Sequence, residues 1–201
     1  MLRTLTAVLA LTVLSVPVSG QIAWDSPALV SPSVPAGFSL FLVNPAGGDI
    51  GAMLTLRQQA GPVGLGYRAA IADESGTNNV AVSGGIDVSG VLARGMEGSD
   101  LDVIWWSGGG IGIGDEVLLT APLGIILGWS GSSGDVVLSP YGGGHVVLDF
   151  VTGPGDDLHF DAVVDLGLDV ALDSDWLIRF GASVGDRQSL ALGVKVPSGG
   201  R

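Results

Sequence analysis

This chain of 201 residues contains 34 Gly, no Cys and only 14% charged residues, and its mean hydropathy is +0.54. Charge well below the roughly 25% of an ordinary domain cannot cover a soluble surface, yet no window reaches the ~18–20 continuous apolar residues of a membrane helix. A net charge of −12 argues against nucleic acid as a partner and favours cations or basic groups.

Residues 1–20 have the layout of a signal peptide: Arg3, an apolar core from Leu5 to Val16, then Pro17 and the small residues Val18-Ser19-Gly20. The apolar core is too short to span a membrane, so cleavage after Gly20 is expected. Gln21 stands where a lipoprotein would carry Cys, and a chain without Cys forms no disulfide in an oxidising compartment. Losing Arg3 from the 8 Lys+Arg leaves 7 against 20 Asp+Glu, a net of −13.

Residues 21–36 carry Pro27, Pro32 and Pro35 without periodicity, which predicts an extended N-terminal arm. Ten alternating segments follow within 37–196: Phe38–Leu42, Ile50–Leu56, Val63–Ile71, Val80–Leu92, Leu101–Ile113, Val117–Trp129, Val136–Phe150, Leu158–Leu172, Trp176–Val184 and Leu190–Val196. Their separators are rich in Gly, Pro, Asp, Asn and Ser, the residues that close turns. None is long enough for a crossover helix, so the strands should meander antiparallel. Ser107–Gly110 allows a bulge or a break in the fifth segment, which makes eight strands the alternative to ten. Residues 197–201 form a short tail.

The longest pattern is Leu158–Leu172, in which every even position is apolar. Asp161, Asp165, Asp169 and Asp173 also recur at helical spacing, but stacked like charges, a central Gly167 and abundant Val argue for a strand. About 15 residues rise about 50 Å, or about 35 Å at a 45° tilt, whereas soluble strands stop at about 5–6 residues. A hairpin closing through Ser174 pairs Leu172 with Trp176 and Leu168 with Phe180, and sets Arg179 opposite Asp169. The fold class predicted is all-β, an antiparallel up-and-down transmembrane barrel.

Alternation alone does not say which face is outside. The polar faces are mostly Gly, Ser, Ala and Asp, which suits a crowded lumen, and closure removes the edges that long apolar strands would expose. With both termini on the periplasmic side, Phe38, Trp105, Trp129 and Trp176 fall near one rim and Phe150 and Phe160 near the other, as in an aromatic girdle. A charge should therefore be tolerated worse at Val164 or Leu166 than at Val163.

The inner face then carries the carboxylates Asp87, Asp102, Asp149, Asp161, Asp165 and Asp169 against Arg57, Arg68, Arg179 and Lys195, with Tyr141, His145 and His159. Buried charges must be paired or hydrated. One reading is an interior filled by such pairs; the other is a narrow, cation-preferring pore. Asp149 and His159 come together across a hairpin centred near residue 154, an arrangement that fits a lumen hydrogen-bond network better than an acid–base dyad. Gly109–Asp115 is a single glycine-rich run with no helix pattern after it, so it is a weak signal for a phosphate or calcium loop. No catalytic residue, metal site or cofactor motif is expected.

Alternating strands of this length, the tight turns and the run Ser139-Pro140-Tyr141-Gly142-Gly143-Gly144 resemble the small OmpA-type outer-membrane β-barrel proteins over residues 37–196. That resemblance implies outer-membrane lipid and the barrel-assembly machinery as partners. Members end their last strand on an aromatic residue; this chain has Val194-Lys195-Val196 followed by Pro197. The function expected is structural or that of a narrow passive channel with an acidic lumen. A secreted soluble β-sandwich or barrel acting as a binding module is the alternative.

Overall fold

The structure, a computed structural model, describes residues 24–33, 36–60, 62–74, 79–95, 100–114, 116–152, 157–172 and 176–196. The expected signal peptide (1–20), residues 21–23, the turn at 173–175 and the tail at 197–201 lie outside them.

The strands are β1 (Gly37–Asn44), β2 (Gly48–Ala60), β3 (Val63–Glu74), β4 (Val80–Ala93), β5 (Asp102–Ile113), β6 (Val117–Gly128), β7 (Gly131–Ser133), β8 (Val136–Thr152), β9 (Asp157–Ala171), β10 (Leu177–Gly185) and β11 (Ser189–Lys195). Every neighbouring pair is antiparallel; β1 pairs with β11, and β6 pairs with β8, so the sheet closes on itself. Ten long strands form this barrel. The three residues of β7 pair only with the start of β8, in a hairpin that turns at Gly134 with φ 61°.

The fifth segment is one continuous strand. Its register with β6 is the same on both sides of Gly108 and Gly109, from Ser107↔Leu123 to Gly110↔Thr120. The ladder lapses between them because Pro122 has no N–H to give. The Ser107 hydroxyl donates instead to the Pro122 carbonyl at 3.0 Å.

Alternation sorts the wall into two faces. Outward positions are apolar and exposed, Leu166 at 56% and Phe160 at 66% among them. Inward positions are buried, and the bulkiest stand directly across the ladder from glycine: Phe41 from Gly193, Trp106 from Gly124, Tyr141 from Gly167 and Asp87 from Gly66. A Cβ at Gly193, Gly167 or Gly66 would overlap the side chain opposite, and one at Gly124 would lie 2.8 Å from Trp106 Nε1. Much of the glycine content is therefore room made for large neighbours in a narrow interior.

The N-terminal arm completes the core. Residues 24–31 are all buried inside the barrel. Asp25 lies at the rim that carries the β1–β2 and β10–β11 turns, bonding Ala46 N and Arg187. Pro32 lies at the opposite rim, where its Cδ would be 3.0 Å from a Cβ on Gly128 at the end of β6. The arm thus runs the length of the lumen before the chain turns into β1. Seven residue steps span at most about 23 Å at ~3.3 Å each, against the ~25 Å apolar band of a membrane barrel. Leu29 packs with Phe41, Val43 and Met53 on one side, while Trp24, Ala28 and Val30 pack with Ile104, Trp106, Ile126 and Tyr141 on the other.

Candidate functional site: the filled lumen

The lumen wall holds its charges in pairs that its own strands position. Arg179 Nε lies 2.9 Å from Asp169 Oδ1, across the β9–β10 register that also puts Phe180 opposite Leu168. Arg57 Nη2 lies 2.9 Å from Asp87 Oδ1 and 2.8 Å from Ser89 Oγ. Asp165, 1% exposed, lies with one oxygen 2.8 Å from His145 Nδ1 and accepts the Ser183 hydroxyl at 2.6 Å on the other.

Arg187 was not among the bases expected in the lumen. It belongs to the β10–β11 turn, where alternation says nothing about direction, yet it is buried and meets three carboxylates. Its Nη1 is 2.6 Å from Asp25, its Nε is 2.9 Å from Asp161, and its Nη2 bonds Asp149. Burial alone would lower its pKa; the negative charges of Asp25, Asp149 and Asp161 outweigh burial and raise it above the ordinary arginine value. A raised folded-state pKa stabilises the protein below the unfolded value and fails only as pH climbs through the folded one, so this contribution is intact at neutral pH.

Two expectations about the inner face change accordingly. Asp149 and His159 are register partners on β8 and β9, but the Asp149 carboxylate is engaged by Arg187, and Asp165 meets His145. Asp102 and Lys195 are rim residues. Both are half-buried; Asp102 accepts the Gly95 N–H at 3.1 Å, and the Lys195 stem covers Gly37. Within the lumen, Arg57, Arg68, Arg179 and Arg187 stand among Asp25, Asp87, Asp149, Asp161, Asp165 and Asp169, so the arm's Asp25 offsets the gain of Arg187 and the carboxylate excess is that of the expected set.

The arm is bound to this wall by polar and apolar contacts together. Arg68 Nη2 donates to the Ala28 carbonyl at 2.7 Å, and Arg179 Nη2 donates to the Leu29 carbonyl at 2.8 Å. The Ser31 hydroxyl donates to Asp169 Oδ2 at 3.0 Å, and the Ala28 N–H approaches Asp165 Oδ1 at 3.4 Å. The Trp24 indole stacks on Trp106 with centroids 5.2 Å apart and planes at 30°, and the Arg68 guanidinium carbon sits 3.7 Å from its ring centre. A Cβ on Gly85, Gly108 or Gly110 would come 3.2, 2.7 or 2.8 Å from the Trp24 ring atoms. The space left between Leu29, Arg57, Arg68 and Arg179 is about 20 Å³, little more than one water.

The residues expected in the girdle lie on the outer face, Phe38, Trp129, Phe150, Phe160 and Trp176 exposed and Trp105 half-buried. Among the described residues, no group of three His, Asp or Glu is arranged to hold a metal ion.

No family model matches this chain, and no curated protein matches it. Among solved structures it is similar to a KdgM porin, with 11% identity and a TM-score of 0.38, over 78% of this chain and 96% of that one. A likeness of that size leaves the barrel to be argued from this chain's own strands.

Proposed function

We propose that this protein is an integral outer-membrane β-barrel with a structural role, its lumen closed by its own N-terminal arm. The observation that carries the reading is the pairing of an exposed apolar exterior with an occupied interior. An apolar band around a closed sheet fits lipid, since closure leaves no backbone edge unpaired in hydrocarbon. Girdle aromatics at both rims favour the same environment. The signal-peptide pattern and the resemblance to OmpA-type barrels support the outer membrane as the destination. An arm that occupies the lumen, with a gap of only about 20 Å³ between Leu29, Arg57, Arg68 and Arg179, argues for structure over standing conduction.

Insertion and recording test the two halves separately. The mature protein should refold into detergent or lipid and migrate faster before boiling than after. A chain that stays soluble and monomeric without detergent would overturn the membrane reading in favour of a secreted module. Planar-bilayer recordings of the inserted protein should show no steady current; a steady cation-preferring current would restore the narrow-channel reading.

A further inference from the structure

Three features of the lumen describe a receptor for a peptide. The first is that two of its polar groups are anchored without the arm. Arg179 is held by Asp169, and Asp165 by His145 and Ser183, all of them wall residues. Arg179 and Asp165 then reach the arm through its main chain, at the Leu29 carbonyl and the Ala28 N–H, and Arg68 does the same at the Ala28 carbonyl, while Asp169 and Arg187 take the side chains of Ser31 and Asp25. Main-chain recognition places few demands on sequence.

The second is a pair of side-chain recesses made by missing Cβ atoms. Gly85, Gly108 and Gly110 clear the indole slot, closed by Trp106 and by Arg68. Gly181 clears the other, where a Cβ would lie 2.6 Å from Leu29 Cδ2 and 3.0 Å from Pro27 Cβ. The third is the shape forced on the arm. Leu29 has φ 53°, a left-handed conformation that a side-chain-bearing residue adopts only against steric cost. Its carbonyl is the one held by Arg179, so the wall dictates the arm's backbone at this point.

We propose that the lumen wall is a peptide-binding site, and that Trp24–Ser31 is its in-chain occupant. The ligand class is a peptide with a tryptophan for the glycine-walled slot, a carboxylate after it for Arg187, and an aliphatic residue in left-handed conformation, spaced as Leu29 is from Trp24, for the recess at Gly181. A peptide of this kind from another chain competes with the arm for the same contacts. The inference rests on the filled lumen and not on membrane insertion, so it stands or falls independently of the recordings above.

The test uses the whole chain. A protease site replaces residues 33–36, between the arm and β1; the protein is folded intact and then cut, leaving the arm in place but severed. A fluorescent peptide of residues 24–33 is added in detergent and its anisotropy followed. The cut barrel should take up the peptide at one per chain, and the uncut barrel should not. The same peptide carrying Trp24→Ala should bind at least about tenfold more weakly, as loss of a buried aromatic anchor predicts. Should the cut chain unfold, the uncut chain carrying Trp24→Ala and Leu29→Ala, whose wall is untouched, must bind the peptide better than the unaltered chain does. Absence of uptake by every folded form would overturn the proposal, and so would uptake indifferent to Trp24.

Discussion

The two faces of the wall share one alternation and obey different rules. Outside, Leu166, Leu168, Phe180 and Leu192 present hydrocarbon, and one apolar residue can replace another because the partner is a solvent. Inside, each residue has a particular neighbour: Phe41 needs Gly193, Tyr141 needs Gly167, Arg179 needs Asp169. The outer face should therefore be sensitive to charge alone, and the inner face to both volume and pairing.

The sharpest break should come at Arg187. Arg187→Ala leaves Asp25, Asp149 and Asp161 without their shared cation, the first two of them buried and Asp161 partly exposed. Breaking a buried pair costs about 3–5 kcal/mol, read as the fall in unfolding free energy in urea and detergent. Arg187→Lys should recover only part of it, because one ammonium cannot reproduce the planar fork. A loss below about 1 kcal/mol would mean that these carboxylates behave like exposed ones.

Arg179 comes next. Arg179→Ala strands both Asp169 and the Leu29 carbonyl and should cost about 3 kcal/mol. Asp169→Asn keeps an acceptor for the guanidinium and should cost less. Equal and negligible effects of the two would remove the pair from the account.

On the outer face, Leu166→Asp should lower refolding yield into lipid vesicles by an amount corresponding to about 2 kcal/mol, with Leu166→Val close to neutral. A Leu166→Val defect as large would refute the interchangeability of the outer face. Val163 does not serve as the permissive control that alternation suggests. It is only 3% exposed and stands across the ladder from His145, so an added carboxylate there meets Asp165 and its histidine instead of open water. The smallest effect should be that of Ser31→Ala, about 1 kcal/mol for one hydroxyl donor to Asp169. If it proves as costly as Arg179→Ala, the arm and not the wall organises that corner.

The pattern that sequence carries is the one repeated at every second residue. It is enough to find the strands, to make the meander antiparallel, and to place Arg179 opposite Asp169 and Asp149 opposite His159. Which partner a side chain then takes is a separate matter. His145 and Asp165 occupy nearby, not facing, rungs of β8 and β9, and their pairing depends on how two side chains lean in a crowded interior. Glycine was legible as abundance, but its role as the space opposite Phe41, Tyr141 and Asp87 needed the register.

What the sequence alone determined was the sheet: period-two alternation is a local property, and a strand buried on one face must keep it. What only the tertiary structure decided was the filling of that sheet. The arm has no period, and its contacts join residues far apart in the chain, Trp24 to Arg68 and Trp106, and Asp25 to Arg187. Arg187 sits in a turn, where no alternation assigns a side chain to a face. Such contacts form because closing the barrel leaves wall groups in an interior that must be packed and paired, and a nearby proline-rich segment of the right length supplies what the strands themselves leave unfilled.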